Sequence, residues 1–511
     1  MRKRSFIWPL LAVLLTTSCS FLDEQPDSAL SEDKAFSSMT ALRNNAVLSI
    51  YMYIGGSEDS QGLHGTGRGV YDLNSLTTDE QIIPTRGGDW YDGGYWQRLN
   101  LHEWDEDDTS IQDTWDYLFK VVMMANSGIE RIRAYNKPDA IPSQLAGYEA
   151  ELRAVRAMYY WYLMDLFGRV PLVTRTNIPS DSIQLAPRTE VYHFIEKELR
   201  EAMPFLAMDY SNEPLSEYYG RMTRHVASFV LMKLYLNHVV YTGVEQPAVY
   251  DSVIAMGEQL GNYYSLEEFL ESNFALDNDR SKENIFVIPR EVGKYAAQYK
   301  YEHRTLHYNH AAALGMGGEN GTSATLQTLE VFGYNTDHQD PRFNIYFFYD
   351  TVKVNGRIVY RVDGKTPLVY QADKIELILS GSPYEKTAGA RMRKYEHDPN
   401  GIQDSNVGKN DIVLFRYADV LLMIAEAKLR RGMDPSIEVA EVRDRVGADP
   451  LGKVPDLDDI YHERWKELMW EGWHRNDMIR FGKWTGHTTV FPIPADMLFL
   501  HSDWKQNDGY E

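Results

Sequence analysis

Apolar residues recur at helical spacing along most of this chain, and the stretches that lack the pattern set its organisation. From Ala35 to Tyr53, the residues Phe36, Met39, Leu42, Val47, Ile50 and Tyr51 mark one apolar stripe. A second helix is predicted from Ile111 to Tyr135 and a third from Gln144 to Phe167. In the third, Leu152, Val155, Met158, Tyr159, Tyr162, Leu163 and Leu166 are apolar, while Ala154 and Ala157 are small enough for close approach. It stops at Gly168, with Pro171 just beyond. Val191 to Leu206, Val226 to Tyr241, Ala248 to Leu260, Asp411 to Arg431 and Leu457 to Arg480 complete the set, eight helices that pair into four hairpins.

Two stretches break the pattern. Residues 54–104 are glycine-rich and aromatic and show no helical period. A loop that long is functional or disordered, and its Trp and Tyr content argues against disorder. Residues 262–410 are irregular, with strand-like runs at Asn284–Pro289, Asn344–Asp350 and Val352–Tyr370, the last around an Asn355-Gly356 turn. No linker with a composition shift interrupts residues 35–511. The expectation is one domain, with helical pairs at about 35–261 and 411–481 and an irregular insertion at about 262–410.

Composition narrows the function. The 511 residues are 43% hydrophobic, enough for a sizeable core, and their formal net charge is −22. An acidic chain is a poor match for a phosphate backbone, which argues against nucleic-acid binding. A single Cys excludes an internal disulfide and any Cys-rich zinc site. Its position matters more. Arg2, Lys3 and Arg4, the apolar run Phe6–Leu15 and the small residues before Cys19 read as a signal peptide, residues 1–18. Cys19 after Ser18 resembles the lipobox of bacterial lipoproteins, although Leu15 lies one position further from the Cys than usual. That resemblance implies lipidation at Cys19, with residues 19–34 as lipidated N-terminus and tether. No later segment is long and apolar enough to cross a bilayer.

The sequence offers little for catalysis. Gly65-Thr66-Gly67-Arg68-Gly69 lacks the Lys and Ser/Thr of a phosphate loop. His303, His307 and His310 would share one helix face, but Arg304 stands where a zinc protease needs Glu. Asp277-Asn278-Asp279 lacks the Gly and closing Glu of a calcium loop. No Gly-x-Ser-x-Gly elbow occurs. No catalytic residue, cofactor or metal ligand is therefore expected. The informative cluster runs from Thr77 to Trp104, where Trp90, Tyr91, Tyr95, Trp96 and Trp104 sit among glycines and charges. Flat aromatic faces stack on the C–H faces of sugars while Asp, Arg and Asn bond the hydroxyls, so this cluster is expected to border a glycan site. The Trp-rich run Asp458–Trp484 has helical spacing at Trp465, Leu468, Met469 and Trp473, which predicts core packing.

The whole mature chain resembles the SusD/RagB-like outer-membrane lipoproteins of Bacteroidetes. The resemblance rests on Cys19-Ser20-Phe21-Leu22-Asp23 with Pro26, on Thr78-Asp79-Glu80 and Arg86–Trp90, and on Trp115 with Ala125-Asn126. It continues in Leu152–Val173, Ser281–Ile288, Asn320-Gly321, Asp340-Pro341-Arg342, Arg416–Ala427, Glu463–Trp484, Phe491–Pro494 and Gln506–Tyr510. One departure is Asp508, where the family usually has Pro. The resemblance implies a mainly α fold, four TPR-like helix hairpins forming a scaffold for an irregular loop and short-strand ligand-binding half. It implies a lipid-anchored protein on the outside of the outer membrane that captures oligosaccharide without catalysis and delivers it to a SusC-like TonB-dependent transporter. By motif position the ligand residues would be Asp79, Arg86, Trp90, Tyr91, Trp96 and Asn320. Peptide or other cargo in the same transporter role is an alternative, as is a surface glycoside hydrolase or a scaffold that binds only protein.

Overall fold

A computed structural model of the chain describes residues 32–56, 61–208, 216–290, 300–401 and 408–510. The expected signal peptide, Cys19 and most of the tether lie outside the described residues. The described chain is mainly α, with short two-stranded pairings confined to the connections between helices.

The first apolar stripe is helical but not uniform: Met39–Leu42 passes through a π-helical stretch, Arg43–Leu48, into Ser49–Ile54. The glycine-rich segment that follows contains two short helices its sequence did not announce, α1 (Val70–Ser75) and α2 (Tyr95–Leu101). All six residues of α1 are buried, so no polar face remains to reveal a period. The scaffold continues with α3 (Thr109–Ala134), α4 (Pro142–Phe167), α5 (Arg188–Ala202), α6 (Arg224–Leu236) and α7 (Ala248–Leu260). Pro142 opens α4 at its first turn, and Gly168 ends it at φ 71°.

α4 packs between α3 and α5. From Ala150 onward nearly every α4 side chain is buried, each large apolar one stabilising the fold by roughly 1.5–3 kcal/mol. Gly128 of α3 permits the close approach: a Cβ there would lie 2.5 Å from Leu152 Cδ1 and 2.8 Å from the Ala46 carbonyl oxygen. The three helices are also stitched by polar side chains. Arg156 donates to Asn126 Oδ1 at 2.7 Å and pairs with Glu198, while Asn126 donates to the Val173 carbonyl at 2.9 Å.

In the second half the apolar run expected as one helix from Asp411 begins as a strand. Among the strands β1 (Gln81–Ile82), β2 (Asn284–Ile288), β3 (Ser323–Ala324) and β4 (Ile412–Arg416), β4 pairs antiparallel with β2 and β1 with β3. Two short helices, α8 (Tyr301–Thr305) and α9 (Tyr308–Leu314), lie between β2 and β3, so His303 and His310 do not share one helix. After β4 come α10 (Tyr417–Arg430), α11 (Ser436–Arg445), α12 (Leu457–Leu468) and α13 (His474–Arg480). The helix expected from Leu457 to Arg480 is thus two, split at Trp470 (φ 69°) and Gly472 (φ 74°). α10 packs on α7, α11 and α12, and α7 packs on α6. Trp465, Leu468, Met469 and Trp473 are buried, the core role their spacing predicts. The Asn355-Gly356 turn also forms as expected, joining Lys353–Val354 to Arg357–Ile358.

Candidate functional site

β1 and the turns after it carry the aromatic segment across the irregular half. Thr85 N donates to the Leu377 carbonyl at 3.1 Å, and Arg86 and Asp89 exchange backbone bonds around Gly87-Gly88. This turn projects Asp89, Trp90 and Tyr91 outward. Trp90 is held in a left-handed conformation at φ 61°, its Nε1 donating to the Glu319 carbonyl at 2.8 Å. Its indole lies on bare backbone, since a Cβ on Gly321 would come within 2.6 Å of Trp90 Cε2. The edge of Trp90 meets Trp96 at 5.5 Å between centroids.

Two of the six residues expected to contact ligand stand at this surface. Tyr91 is 55% exposed and Trp90 half-buried. The other four are placed differently. Trp96 is 4% exposed; its Nε1 donates to Asp92 Oδ2 at 2.8 Å, and it backs Trp90 from within. Arg86 is fully buried, donating to the Glu385 carbonyl (3.0 Å), the Ala388 carbonyl (2.9 Å) and Ser323 Oγ (2.9 Å). Asn320 is likewise fully buried, accepting from Arg391 at 2.9 Å and donating to the Lys386 carbonyl at 3.1 Å. Arg86 and Asn320 present no surface to a ligand because their polar atoms tie the loops together. Asp79 lies apart: it accepts from His474 Nε2 at 2.7 Å and lines a separate groove with Glu330, Arg443, His462, Trp465 and Lys466.

Residues that local patterning did not single out complete the surface. Tyr308, at the first turn of α9 and 39% exposed, donates its hydroxyl to Asp89 Oδ2. Lys386 Nζ reaches the same carboxylate at 2.8 Å and the Arg86 carbonyl at 2.7 Å. These two donors hold the Asp89 carboxyl below the usual carboxylate range, so at neutral pH it is a fixed anion beside the aromatic rings. Asn309 donates to the Tyr360 carbonyl at 3.1 Å, which brings the exposed Tyr360 ring and its hairpin alongside. The arrangement offers flat rings edged by a carboxylate, an ammonium and a phenol. Such a surface can stack on a sugar and bond its hydroxyls.

Beneath it lie two buried guanidinium groups, Arg86 and Arg391, both bonded to Ser323 Oγ. Neither has a carboxylate within 4 Å among the described residues. Burial pushes Arg391 down to about 10 and, with the neighbouring Arg391 charge, pushes Arg86 down as well, yet both stay protonated at neutral pH. Burial and the same two charges push His307 down to about 3, so that ring is neutral. No cluster of three or more metal-ligating side chains occurs among the described residues, and no described helix is long and apolar enough to cross a membrane.

Comparison with known proteins follows this geometry. The sequence profile of the SusD family matches residues 282–508, and a second profile, described as starch-binding associating with outer membrane, matches residues 20–236. The starch-binding protein SusD of Bacteroides thetaiotaomicron is 24% identical over 100% of this chain and 99% of its own length. A surface glycan-binding protein A from the same species, solved with laminarihexaose, superposes with a TM-score of 0.71 at 17% identity, covering 92% of this chain and 99% of that one. A SusD superfamily protein from Bacteroides vulgatus does so at 0.71 and 18%, covering 92% and 98%. These structures share the fold of this chain. Profiles over residues 20–236 and 282–508 and a relative matched end to end agree with the motifs read along the sequence: the chain is a SusD/RagB-like protein.

Proposed function

We propose that this protein is a non-catalytic binding protein for oligosaccharide, with Trp90, Tyr91 and Tyr308 as the ring platform and Asp89 and Lys386 as hydroxyl partners. The observation that carries the reading is the exposed Tyr308 meeting the Asp89–Lys386 ion pair, on the same turn that exposes Tyr91. Trp96, Arg86 and Asn320 act through these residues by fixing the loops that hold them. The relatives named for starch and glycan binding support the same cargo class. In this reading Cys19 anchors the chain by lipid to the exterior face of the outer membrane, and the captured glycan passes to a SusC-like TonB-dependent transporter. Release to a transporter calls for a modest Kd, roughly micromolar to millimolar, or ~4–8 kcal/mol.

The test is affinity electrophoresis and calorimetry against a panel of glycans, using protein lacking residues 1–19. At least one glycan is retained by the native protein and released by Trp90→Ala and by Tyr91→Ala, with no sugar products formed. Retention unchanged in both variants would remove the site, and turnover of the glycan would favour a hydrolase. Co-purification with a SusC-like TonB-dependent transporter tests the delivery role.

A further inference from the structure

The hairpin beside the aromatic face carries a charge opposite to that of the chain as a whole. The protein carries a net −22, yet the hairpin segment 351–370 holds Lys353, Arg357, Arg361 and Lys365 against a single acid, Asp363. Asp363 is occupied locally, accepting from Lys365 N and Thr366 N at 2.8 Å each. Lys353, Arg357 and Lys365 are exposed, Arg361 is half-buried, and none of the four has a carboxylate within 4 Å among the described residues. This hairpin walls a groove of about 600 Å³ lined by Ala313 of α9, Val354, Arg357, Ile358 and Tyr360.

One short helix, α9, links the groove to the aromatic face. α9 carries Tyr308 at one end, against Asp89, and Ala313 at the other, in the groove; Asn309 between them holds the Tyr360 backbone. Under the near end lie the buried Arg86 and Arg391 without carboxylate partners. Low surrounding polarisability lets their charge reach further than an exposed cation would. Asp89, Glu385 and Glu319 are the nearby acids; the first two share the single Lys386, at 2.8 and 3.6 Å, and Glu319 meets His303 at 3.0 Å. Along the hairpin the surplus charge is positive. At physiological ionic strength fields die within about 8 Å, so this local surplus, not the distant acidic surface, is what a bound ligand feels.

We infer that the cargo is an anionic glycan, its rings on Tyr91, Trp90 and Tyr308 and its carboxylate or sulfate groups at Arg357 in the groove and at Arg361 of the same hairpin. This inference rests on the glycan reading and adds the substrate class. Guanidinium groups grip carboxylate and sulfate through paired N–H donors, and such charge-assisted bonds outweigh those to neutral hydroxyls.

The test compares matched polysaccharides in affinity gels at two salt concentrations. Polygalacturonate is set against its methyl ester, chondroitin sulfate against desulfated chondroitin, and neutral glucans run as a third arm. The proposal predicts at least one acidic member retained some tenfold more strongly than its neutral counterpart, with retention falling as salt rises. The pair that responds distinguishes carboxylate from sulfate. Arg357→Ala and Arg361→Ala should each weaken acidic retention roughly tenfold. Unaltered melting curves would show that both variants fold, and Arg357→Lys should restore part of the binding. A neutral glycan retained equally well or better, or acidic retention indifferent to both substitutions, overturns the anionic class while the glycan reading survives through Tyr91→Ala. Failure to retain any polysaccharide overturns both.

Discussion

Two of the groups of buried arginines in this molecule are compensated in opposite ways. In the rear group, behind the short strands, Arg416 meets Glu283 at 2.9 Å, Glu467 at 2.5 Å and Glu471 at 2.7 Å. Arg342 meets Asp340 (2.8 Å), Glu463 (2.8 Å) and Glu467 (3.0 Å), while Arg445 pairs with Glu283 and Glu467. Lys394 closes the network on Glu471 at 2.5 Å. In the front group, Arg86 and Arg391 receive only carbonyl, hydroxyl and amide oxygens. A charge taken out of water is tolerated only when its partners are well placed, and the rear network supplies opposite charges as those partners. The front cluster accepts poorer compensation and holds two loops together under the aromatic face. The rear ties β4, α11 and α12 together by ion pairs; the front positions the side chains proposed to meet cargo.

The sharpest way to break this contrast is Glu467→Gln, which removes one carboxylate from three arginines. It should cost about 3–5 kcal/mol in urea unfolding. Glu80, where the two regions meet, gives the next effect. Its Oε1 accepts from Trp470 N at 2.9 Å, and burial pushes its carboxyl up to about 7. A carboxyl with a folded value above its unfolded one binds a proton more readily when folded. Its drag on stability is therefore absent below pH ~4 and grows as pH rises to about 7. Glu80→Gln should flatten that decline, a gain on the order of 3 kcal/mol at pH 8 relative to pH 4 in paired melts.

A smaller loss is expected from Arg86→Met. The freed carbonyls cost about 1–2 kcal/mol net, because an uncompensated buried charge leaves with the side chain. A loss as large as that of Glu467→Gln would erase the distinction between the groups. The same variant should also weaken glycan retention, since the Arg86 side chain ties its turn to the Glu385 and Ala388 carbonyls on either side of Lys386. Smallest is Tyr91→Ala, whose exposed ring should change stability by less than about 0.5 kcal/mol while abolishing retention.

Particular residues show what the sequence made legible. α3 and α4 are long, periodic and bounded by Pro142 and Gly168, so they stand out. β4 does not: Ile412–Phe415 runs into Tyr417–Ile424 as one apolar stretch, and periodicity cannot separate a buried strand from a buried helix. Glu463 and Glu467 recur at helical spacing on α12, a signal for the ionic network that Glu471 joins only because the chain turns at Trp470. At the site, Trp90 and Tyr91 were visible as aromatics among glycines. Tyr308 was not, because the residue it meets, Asp89, lies 219 positions away and nothing local marks the pairing. Arg86 misleads in the other direction. A charge in a glycine-rich loop reads as exposed, whereas the turn at Gly87 folds it under the surface.

A crystal structure of the protein with a retained oligosaccharide tests the central claim most directly. The account predicts a sugar ring stacked within about 4 Å of Tyr91 or Trp90, with hydroxyls bonded to Asp89 or Lys386. Sugar seated instead in the groove of Asp79, Trp465 and Lys466, with the Tyr91 and Tyr308 rings bare, would contradict it.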